Sequence, residues 1–256
     1  RIGVYYYSKG QELVDSSLFE QALKKYDQAL WLDDSRSEYF VAKGLALDSL
    51  GELERAIDQY SSALLIDSTD ASTYLYRGLS YMEKEDFASA IHDFSETIAL
   101  DDDRVQAYFQ RGQARMARQN FDDAVRDFSA VIRLDSTYAD AYFSRGAAFR
   151  ELGEKQKAVD DYSRALDMGK QDLGVYQQRV KALADVKNYR DAIKDYTKII
   201  ELAGGSRKLY YQRGYLHFLL SQYQQAIPDF SKTLEYDADN RDALYYRAHS
   251  YSQTRE

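Results

Sequence analysis

One short phrase recurs along the 256-residue chain at a constant spacing of 34 residues. It consists of an aromatic residue, two or three further residues, a basic residue and then usually glycine. The last two positions are Lys9-Gly10, Lys43-Gly44, Arg77-Gly78, Arg111-Gly112, Arg145-Gly146, Arg179-Val180, Arg213-Gly214 and Arg247-Ala248. A fixed period of this length is the signature of a repeat architecture, in which stacked units share one continuous core.

A second pattern occupies the other half of each period. Alanine stands twelve residues after the glycine position, an aromatic residue follows four residues later, and Leu or Ile follows after four more. In the first repeat these residues are Ala22, Tyr26 and Leu30. Spacings of four place the three side chains on one face of a helix. Because glycine in one helix and alanine in the other allow close approach, each period predicts a helix–turn–helix.

Glycine and aspartate punctuate this pattern. Gly51 and Gly153 fall in the predicted turn between the two helices of a repeat, and Gly169 and Gly204 are expected to end later helices. The Asp67-Ser-Thr segment lies between repeats, where we expect it to cap the following helix.

Composition restricts the classes of function. The chain is 45% hydrophobic and 30% charged, which is typical of an ordered protein, and no apolar run is long enough to span a bilayer. The absence of cysteine excludes disulfides, thiolate metal ligands and cysteine nucleophiles. The net charge of −8 disfavours a phosphate-binding surface, so no nucleic-acid partner is expected. The start at Arg1, without a signal-peptide pattern, indicates a fragment or a processed form and leaves the localisation open.

The 34-residue period and the recurring glycine, alanine and aromatic positions resemble the tetratricopeptide repeat family over essentially the whole chain. The resemblance implies an all-α fold, an α-solenoid in which tandem helix-turn-helix repeats form a right-handed superhelix and a single domain over residues 1–256. The expected repeats span residues 3–36, 37–70, 71–104, 105–138, 139–172, 173–206 and 207–240, with a partial repeat at 241–256. The proline that the family usually places after the second helix is absent at all seven corresponding places. Val180 replaces the glycine in the sixth repeat, where we expect the array to depart from regularity.

The basic residue of the phrase changes together with an aspartate in the same repeat. Repeats three to seven combine arginine with an aspartate just before the second-helix aromatic, whereas repeats one and two combine lysine with Lys25 and Gln59 there. Because a planar guanidinium suits a partly buried carboxylate better than an ammonium does, we predict one ion pair in each of the later repeats. The predicted pairs are Arg77–Asp93, Arg111–Asp127, Arg145–Asp161, Arg179–Asp195 and Arg213–Asp229. The alternative is a solvated basic face in which each pair contributes little.

No catalytic motif is found in the sequence. His92, His217 and His249 do not recur between repeats, and none has a carboxylate at metal-ligand spacing. A phosphate loop, a nucleophile elbow and a metal motif are also absent. We therefore expect a non-enzymatic protein without catalytic residues, cofactor or metal.

In the family that the chain resembles, certain first-helix positions face a concave groove that binds partners. Here the positions three before, one after and four after the glycine are mostly aromatic or apolar, which suits an extended or helical segment of a partner protein. The expected partner-binding residues are Tyr7, Leu75, Met82, Phe109, Met116, Phe143, Arg150, Lys181, Tyr211, Tyr215, Phe218 and Tyr245. The alternative is that the bulkiest of these side chains only pack between neighbouring first helices.

Charge and the ends of the array refine the expected partner. Twelve acidic and five basic side chains surround the predicted groove, which favours a basic partner segment. The resulting prediction is a protein-interaction adaptor or scaffold. The alternative is a scaffold that associates with itself, because the helix beginning near Arg241 has no second helix after it and an uncapped solenoid end exposes apolar surface.

Overall fold

The computed structural model describes residues 1–254 and contains, over that range, fifteen α-helices and no β-strand. The helices are α1 (Ile2–Asp15), α2 (Phe19–Leu32), α3 (Ser37–Ser49), α4 (Leu53–Ile66), α5 (Ala71–Glu83), α6 (Phe87–Leu100), α7 (Val105–Ala117), α8 (Phe121–Leu134), α9 (Ala139–Glu151), α10 (Lys155–Asp167), α11 (Leu173–Asp185), α12 (Tyr189–Ala203), α13 (Arg207–Leu219), α14 (Tyr223–Tyr236) and α15 (Arg241–Thr254). Odd-numbered helices are the first helices of the repeats and even-numbered helices are the second helices. The predicted all-α solenoid is confirmed.

The chain divides into two compact units, an N-terminal unit (Arg1–Ser136) and a C-terminal unit that begins at Thr137. The N-terminal unit contains α1 to α8, and the C-terminal unit contains α9 to α15. Within each unit every helix packs against the helices that precede and follow it. The assignment of all repeats to one superhelical domain stays a prediction.

Contact between glycine and an aromatic ring sets the distance between the two helices of a repeat. A Cβ atom at Gly44 would lie 2.5 Å from the ring of Tyr60, and one at Gly112 would lie 2.7 Å from the ring of Phe128. The second-helix aromatics of six repeats are fully buried: Tyr26, Tyr60, Phe94, Phe128, Tyr162 and Phe230. Glycine recurs at this position because the aromatic ring occupies the space that a side chain there would need.

The sixth repeat departs from this arrangement, as expected from its sequence. Val180 stands in the glycine position and is itself buried. Its partner Tyr196 is only partly buried, in contrast to the six fully buried rings. The branched side chain takes the volume that the ring fills elsewhere, so the ring is displaced towards the solvent.

All five predicted Arg–Asp pairs are present. In the third repeat, Arg77 donates from Nε to one oxygen of Asp93 at 2.7 Å and from Nη2 to the other at 2.9 Å. The same two nitrogens bind the carboxylate in Arg111–Asp127, Arg145–Asp161, Arg179–Asp195 and Arg213–Asp229. The five aspartates are at most 5% exposed. A solvated basic face is therefore excluded for these arginines.

These arginines have a further partner that the sequence did not predict, a hydroxyl group in the preceding repeat. Arg77 Nη1 donates to Ser61 Oγ at 3.0 Å, and Arg179 Nη1 donates to Ser163 Oγ at 3.1 Å. The same bond joins Arg111 to Ser95, Arg213 to Thr197 and Arg247 to Ser231. Each of these arginines thus contacts the second helix of the preceding repeat, and we call the series of arginines, aspartates and hydroxyls the arginine ladder.

Lysine in the second repeat follows the same logic with a different partner. The hydroxyl position of the first repeat holds Asp27, and Lys43 Nζ lies 2.7 Å from its carboxylate. The second repeat has Gln59 in place of the aspartate, and its basic residue binds a carboxylate of the preceding repeat instead. Lysine therefore replaces arginine where the carboxylate to be bound lies in the preceding repeat.

One residue in the turn between the two helices of each complete repeat adopts the left-handed backbone conformation. The φ angles lie between 57° and 78° at Ser17, Gly51, Glu85, Gln119, Gly153, Lys187 and Ser221. The predicted turn positions of Gly51 and Gly153 are confirmed. Gly169 and Gly204 also have positive φ angles, at the ends of α10 and α12.

The expected capping role of Asp67 is wrong. Its carboxylate accepts hydrogen bonds from the backbone N–H and the Oγ1 of Thr69, within its own turn. The cap of α5 is Asp70, which accepts from the backbone N–H of Ser72. The short side chain of Asp67 reaches only two residues forward, so it stabilises the loop instead of the helix.

We predict that Gln119→Gly increases the free energy of unfolding by about 0.5–1 kcal/mol, because glycine adopts a positive φ angle without the steric cost of Cβ. The matched change Gly51→Ala, at the equivalent turn position, should lower it by a similar amount. Urea unfolding followed by circular dichroism measures both, and shifts of the same sign would contradict the assignment of the turn.

We also predict that Asp161→Ala lowers the free energy of unfolding by about 3 kcal/mol, because it leaves the guanidinium of Arg145 without its carboxylate in a largely buried site. The neighbouring exposed residue provides the control, and Asp160→Ala should change the stability by less than about 0.5 kcal/mol. Equal effects in thermal unfolding would show that the ladder contributes no more than a surface contact.

Candidate functional site

The predicted groove residues on α13 and α15 form a continuous group of aromatic contacts. Tyr211 and Tyr215 lie one turn apart on α13, with parallel rings whose centroids are 6.3 Å apart. Tyr215 and Phe218 contact Tyr246 of α15 with centroids 5.2 and 4.8 Å apart, and Tyr246 contacts Tyr245 at 5.2 Å. We call Tyr211, Tyr215, Phe218, Tyr245, Tyr246 and His249 the aromatic cluster.

The aromatic cluster has a packed base and an accessible outer edge. Phe230 of α14 is fully buried beneath it and contacts Tyr211 and Tyr246. Tyr245 is 63% exposed, and the other members are partly exposed. Burial and the nearby carboxylate of Asp242 raise the pKa of Tyr211, which therefore stays protonated near neutral pH. The hydroxyl of Tyr211 is thus a neutral hydrogen-bonding group.

The other predicted residues of the C-terminal unit differ in how available they are. Phe143 packs on the ring of Tyr162, and the ammonium of Lys170 lies 5.6 Å from the centroid of its ring. The guanidinium of Arg150 donates to Gln178 of α11 and lies 2.9 Å from Glu151, so it is already engaged within the chain. Lys181 is exposed. Among these three predicted groove residues, Lys181 is the most exposed.

In the N-terminal unit, one predicted groove residue has to be corrected. Leu75 is 2% exposed and belongs to a core cluster with Phe94, Ala90 and Ala107. An isobutyl side chain at this position is short enough to be enclosed between neighbouring helices, whereas a longer aromatic side chain extends past them. Leu75 therefore supports the surface from below and is not part of it.

The remaining predicted residues of this unit are partly exposed and also pack against the core. Tyr7 stacks on Tyr39 with centroids 4.9 Å apart, and Phe109 lies 5.7 Å from the ring of Phe128. Met82 packs against the cluster of Leu75, and Met116 is partly exposed. Packing against neighbouring side chains and partial exposure therefore coexist at these positions.

Many acidic side chains around the predicted groove have partners within the chain. Seven of the twelve are held by a basic side chain, a hydroxyl or a helix N-terminus: Glu38, Asp48, Asp70, Asp140, Glu151, Asp172 and Asp185. Asp48 accepts hydrogen bonds from Tyr60 and Ser80, and burial raises its pKa. The excess of acidic residues in the sequence therefore overstates the negative charge that a partner would meet.

Residues 1–254 contain no group of three or more His, Cys, Asp or Glu side chains that is arranged to hold a metal ion. None of the helices in this range has the length and apolar character required to cross a membrane.

Three family models match the sequence. A tetratricopeptide repeat model matches residues 109–172, a TPR repeat model matches residues 44–84, and a further tetratricopeptide repeat model matches residues 208–240. Together they cover more than half of the chain. The chain belongs to the tetratricopeptide repeat (TPR) family. It is therefore a protein-interaction module, in a family that is generally non-enzymatic.

Solved structures, two of them described as TPR proteins, have the same fold. The C-terminal part of a TPR repeat-containing protein from Cytophaga hutchinsonii is 18% identical over 94% of this chain and 98% of that chain, with a TM-score of 0.74. YrrB, described as a TPR protein with an unusual peptide-binding site, is 17% identical over 74% and 97%, with a TM-score of 0.62. MamA is 22% identical over 66% and 92%, with a TM-score of 0.64. At these identities the likeness shows the fold alone. The comparison with curated protein sequences found no match.

Proposed function

We propose that this TPR module binds an extended or helical segment of a partner protein along the exposed side of its first helices and so serves as an adaptor or scaffold. The observation that carries the proposal is the aromatic cluster, whose members offer accessible edges above a fully buried Phe230. Tyrosine provides a large contact area and is enriched among the residues that dominate binding energy. The structurally similar YrrB, a TPR protein with a peptide-binding site, supports a peptide segment as the class of ligand.

The residues proposed to contact the partner follow from their exposure. Tyr7, Met82, Phe109 and Met116 belong to the N-terminal unit, and Phe143, Lys181 and the aromatic cluster belong to the C-terminal unit. Lys181 would pair with a carboxylate of the partner, since it is exposed. Arg150 would position the surface through its bonds to Gln178 and Glu151 instead of binding directly.

Charges beside the aromatic cluster favour an apolar segment over a strongly basic one. A surface cavity of about 210 Å³ next to Tyr211 is lined by two basic residues, Arg207 and Lys208, and by Asp242 and Asn240. Both signs of charge therefore meet at this position. Aromatic and aliphatic side chains of the partner would supply the main contacts, with polar groups at the rim.

A displayed library of random peptides, selected on the immobilised chain, provides a ligand for the test. We expect Tyr245→Ala to weaken binding of a selected peptide at least about tenfold, since it removes the most exposed ring of the cluster, and tenfold corresponds to about 1.4 kcal/mol. The matched control is Tyr236→Ala, because Tyr236 is 59% exposed and lies on the second helix α14, outside the groove positions. Fluorescence anisotropy of the labelled peptide measures both affinities. An unchanged affinity in Tyr245→Ala, or equal losses in both variants, would refute the proposed surface.

A second candidate function is self-association, and exposed apolar side chains at both ends favour it. Ile2 and Tyr5 on α1 are 65% and 58% exposed, and Leu244 and Tyr251 on α15 are each 41% exposed. Residues in the position of Tyr251 in earlier repeats include Leu47 and Leu183, which are covered by a second helix and buried. The corresponding face of α15 is therefore apolar surface that another copy would cover.

Sedimentation velocity at increasing protein concentration tests this second function. Self-association predicts a sedimentation coefficient that rises with concentration, and Leu244→Lys should abolish the rise because a charge at the contact is costly to bury. Met168→Lys is the control, since Met168 is equally exposed but lies at the end of α10. A coefficient that does not depend on concentration would exclude association through this face.

A further inference from the structure

One position near the end of the second helices is apolar in the first three repeats and charged in the others. Trp31 and Leu65 are 86% and 90% exposed, and Ala99 at the next repeat is also exposed. The same position holds Arg133, Asp167, Glu201 and Glu235 in the four later second helices. A large apolar side chain at such exposure has no role in the core, and charged residues show that the fold does not require it.

These side chains extend an apolar row that is already present. Each is followed by another partly exposed apolar residue, namely Leu32, Ile66 and Leu100, which are 41–43% exposed. Beside Trp31 the surface forms a cavity of about 410 Å³, lined mainly by Ile2, Tyr6, Trp31 and Leu32. We call Trp31, Leu32, Leu65, Ile66, Ala99 and Leu100 the second-helix stripe of the N-terminal unit.

Carboxylates accompany the second-helix stripe at the same interval. Asp33, Asp67 and Asp101 directly follow the three apolar pairs. Hydrogen bonds from Ser35 and Thr69 lower the pKa values of Asp33 and Asp67, so both are ionised at neutral pH. Asp27, whose side chain is 59% exposed, lies on the wall of the cavity beside Trp31 and pairs with Lys43. Asp33 lies 3.0 Å from the guanidinium of Arg36 and Asp101 lies 2.8 Å from that of Arg104, whereas Asp67 accepts its hydrogen bonds from Thr69. A carboxylate therefore follows each apolar pair, and that of Asp67 is held by a neutral partner.

The charge of the whole unit has the same sign. Residues 1–136 contain 25 acidic and 15 basic side chains, whereas residues 137–256 contain 17 acidic and 19 basic ones. The net charge of −8 thus arises entirely in the N-terminal unit. A field of this sign attracts a cationic partner and repels an anionic membrane surface.

We propose that the second-helix stripe is a docking site for a basic amphipathic helix of a partner protein. The apolar face of that helix would cover Trp31 and Leu65. Its lysines or arginines would face Asp67 and would compete with Arg36 and Arg104 for Asp33 and Asp101. An amphipathic helix presents apolar anchors and charges at fixed spacing, which suits apolar pairs that are each followed by a carboxylate. Tryptophan is the residue most enriched among those that dominate binding energy, and Trp31 would be the main anchor. This surface lies on the second helices and is separate from the first-helix positions of the proposed function.

Trp31 is the only tryptophan of the chain and reports directly on this site. The probe is a synthetic amphipathic helix composed of leucine and lysine, and its control is the same peptide with glutamate in place of lysine. We expect the lysine peptide to shift the Trp31 emission to shorter wavelength in a saturable manner, with an affinity that falls as salt is raised. The glutamate peptide should produce no shift. An equal response to both peptides, or none to the lysine peptide, would overturn the proposal.

Variants at exposed positions locate the binding without disturbing the core. Leu65→Ala keeps the reporter and should weaken binding of the lysine peptide about tenfold, which is the size of effect expected for truncating an anchor. Glu201→Ala, at the equivalent position of the sixth repeat, should leave the affinity unchanged. An unchanged affinity in Leu65→Ala would refute the site. A shift of Trp31 emission on raising the protein concentration alone would also refute it, because a second copy of the chain would then be the occupant.

Discussion

An arginine held between the second helices of two successive repeats is the interaction on which the repeat order depends. The planar guanidinium places Nε and Nη2 on the aspartate of its own repeat and leaves Nη1 for the hydroxyl of the preceding one, as at Arg77. No lysine offers donors in this fixed geometry. A single repeat cannot bury its apolar faces alone, so the contact between neighbours determines the cooperativity of the array. The buried aspartates make that contact specific, because an unpaired carboxylate in the same place is strongly unfavourable.

Some of this structure could be predicted from the sequence because it repeats. A recurring residue type marks each of these predicted features, which are the paired helices, the turns at Gly51 and Gly153, and the Arg–Asp pairs. The hydroxyl partner was missed although Ser61 and its equivalents also form a column, since serine in a helix usually indicates an exposed position. The burial of Leu75 could not be predicted. The recurring position shows which face of the helix the residue occupies, but it does not show how far neighbouring helices cover the side chain.

The two units present chemically different surfaces to potential partners. The C-terminal unit has aromatic rings with charges of both signs beside them, which favours apolar contact with neutral polar rims. The N-terminal unit has the second-helix stripe, whose apolar pairs are each followed by a carboxylate, which favours contact that depends on salt. Both surfaces use positions that the fold leaves free, since the glycine contact and the arginine ladder occupy the inner faces of the helices. Repeats with a common core can therefore differ in what they bind.

Val180 makes the sixth repeat the least tightly closed of the seven complete ones. In a solenoid the stability of each repeat is the sum of its own packing and its contacts with two neighbours, and regions open separately when that sum is small. Tyr196 is only partly buried against Val180, so α12 gives up less buried surface on opening than the other second helices of its unit. Its backbone amides should consequently exchange with solvent at a lower opening free energy than those of α10 or α14. A single branched side chain is thus expected to make α12 the first of the second helices in its unit to open.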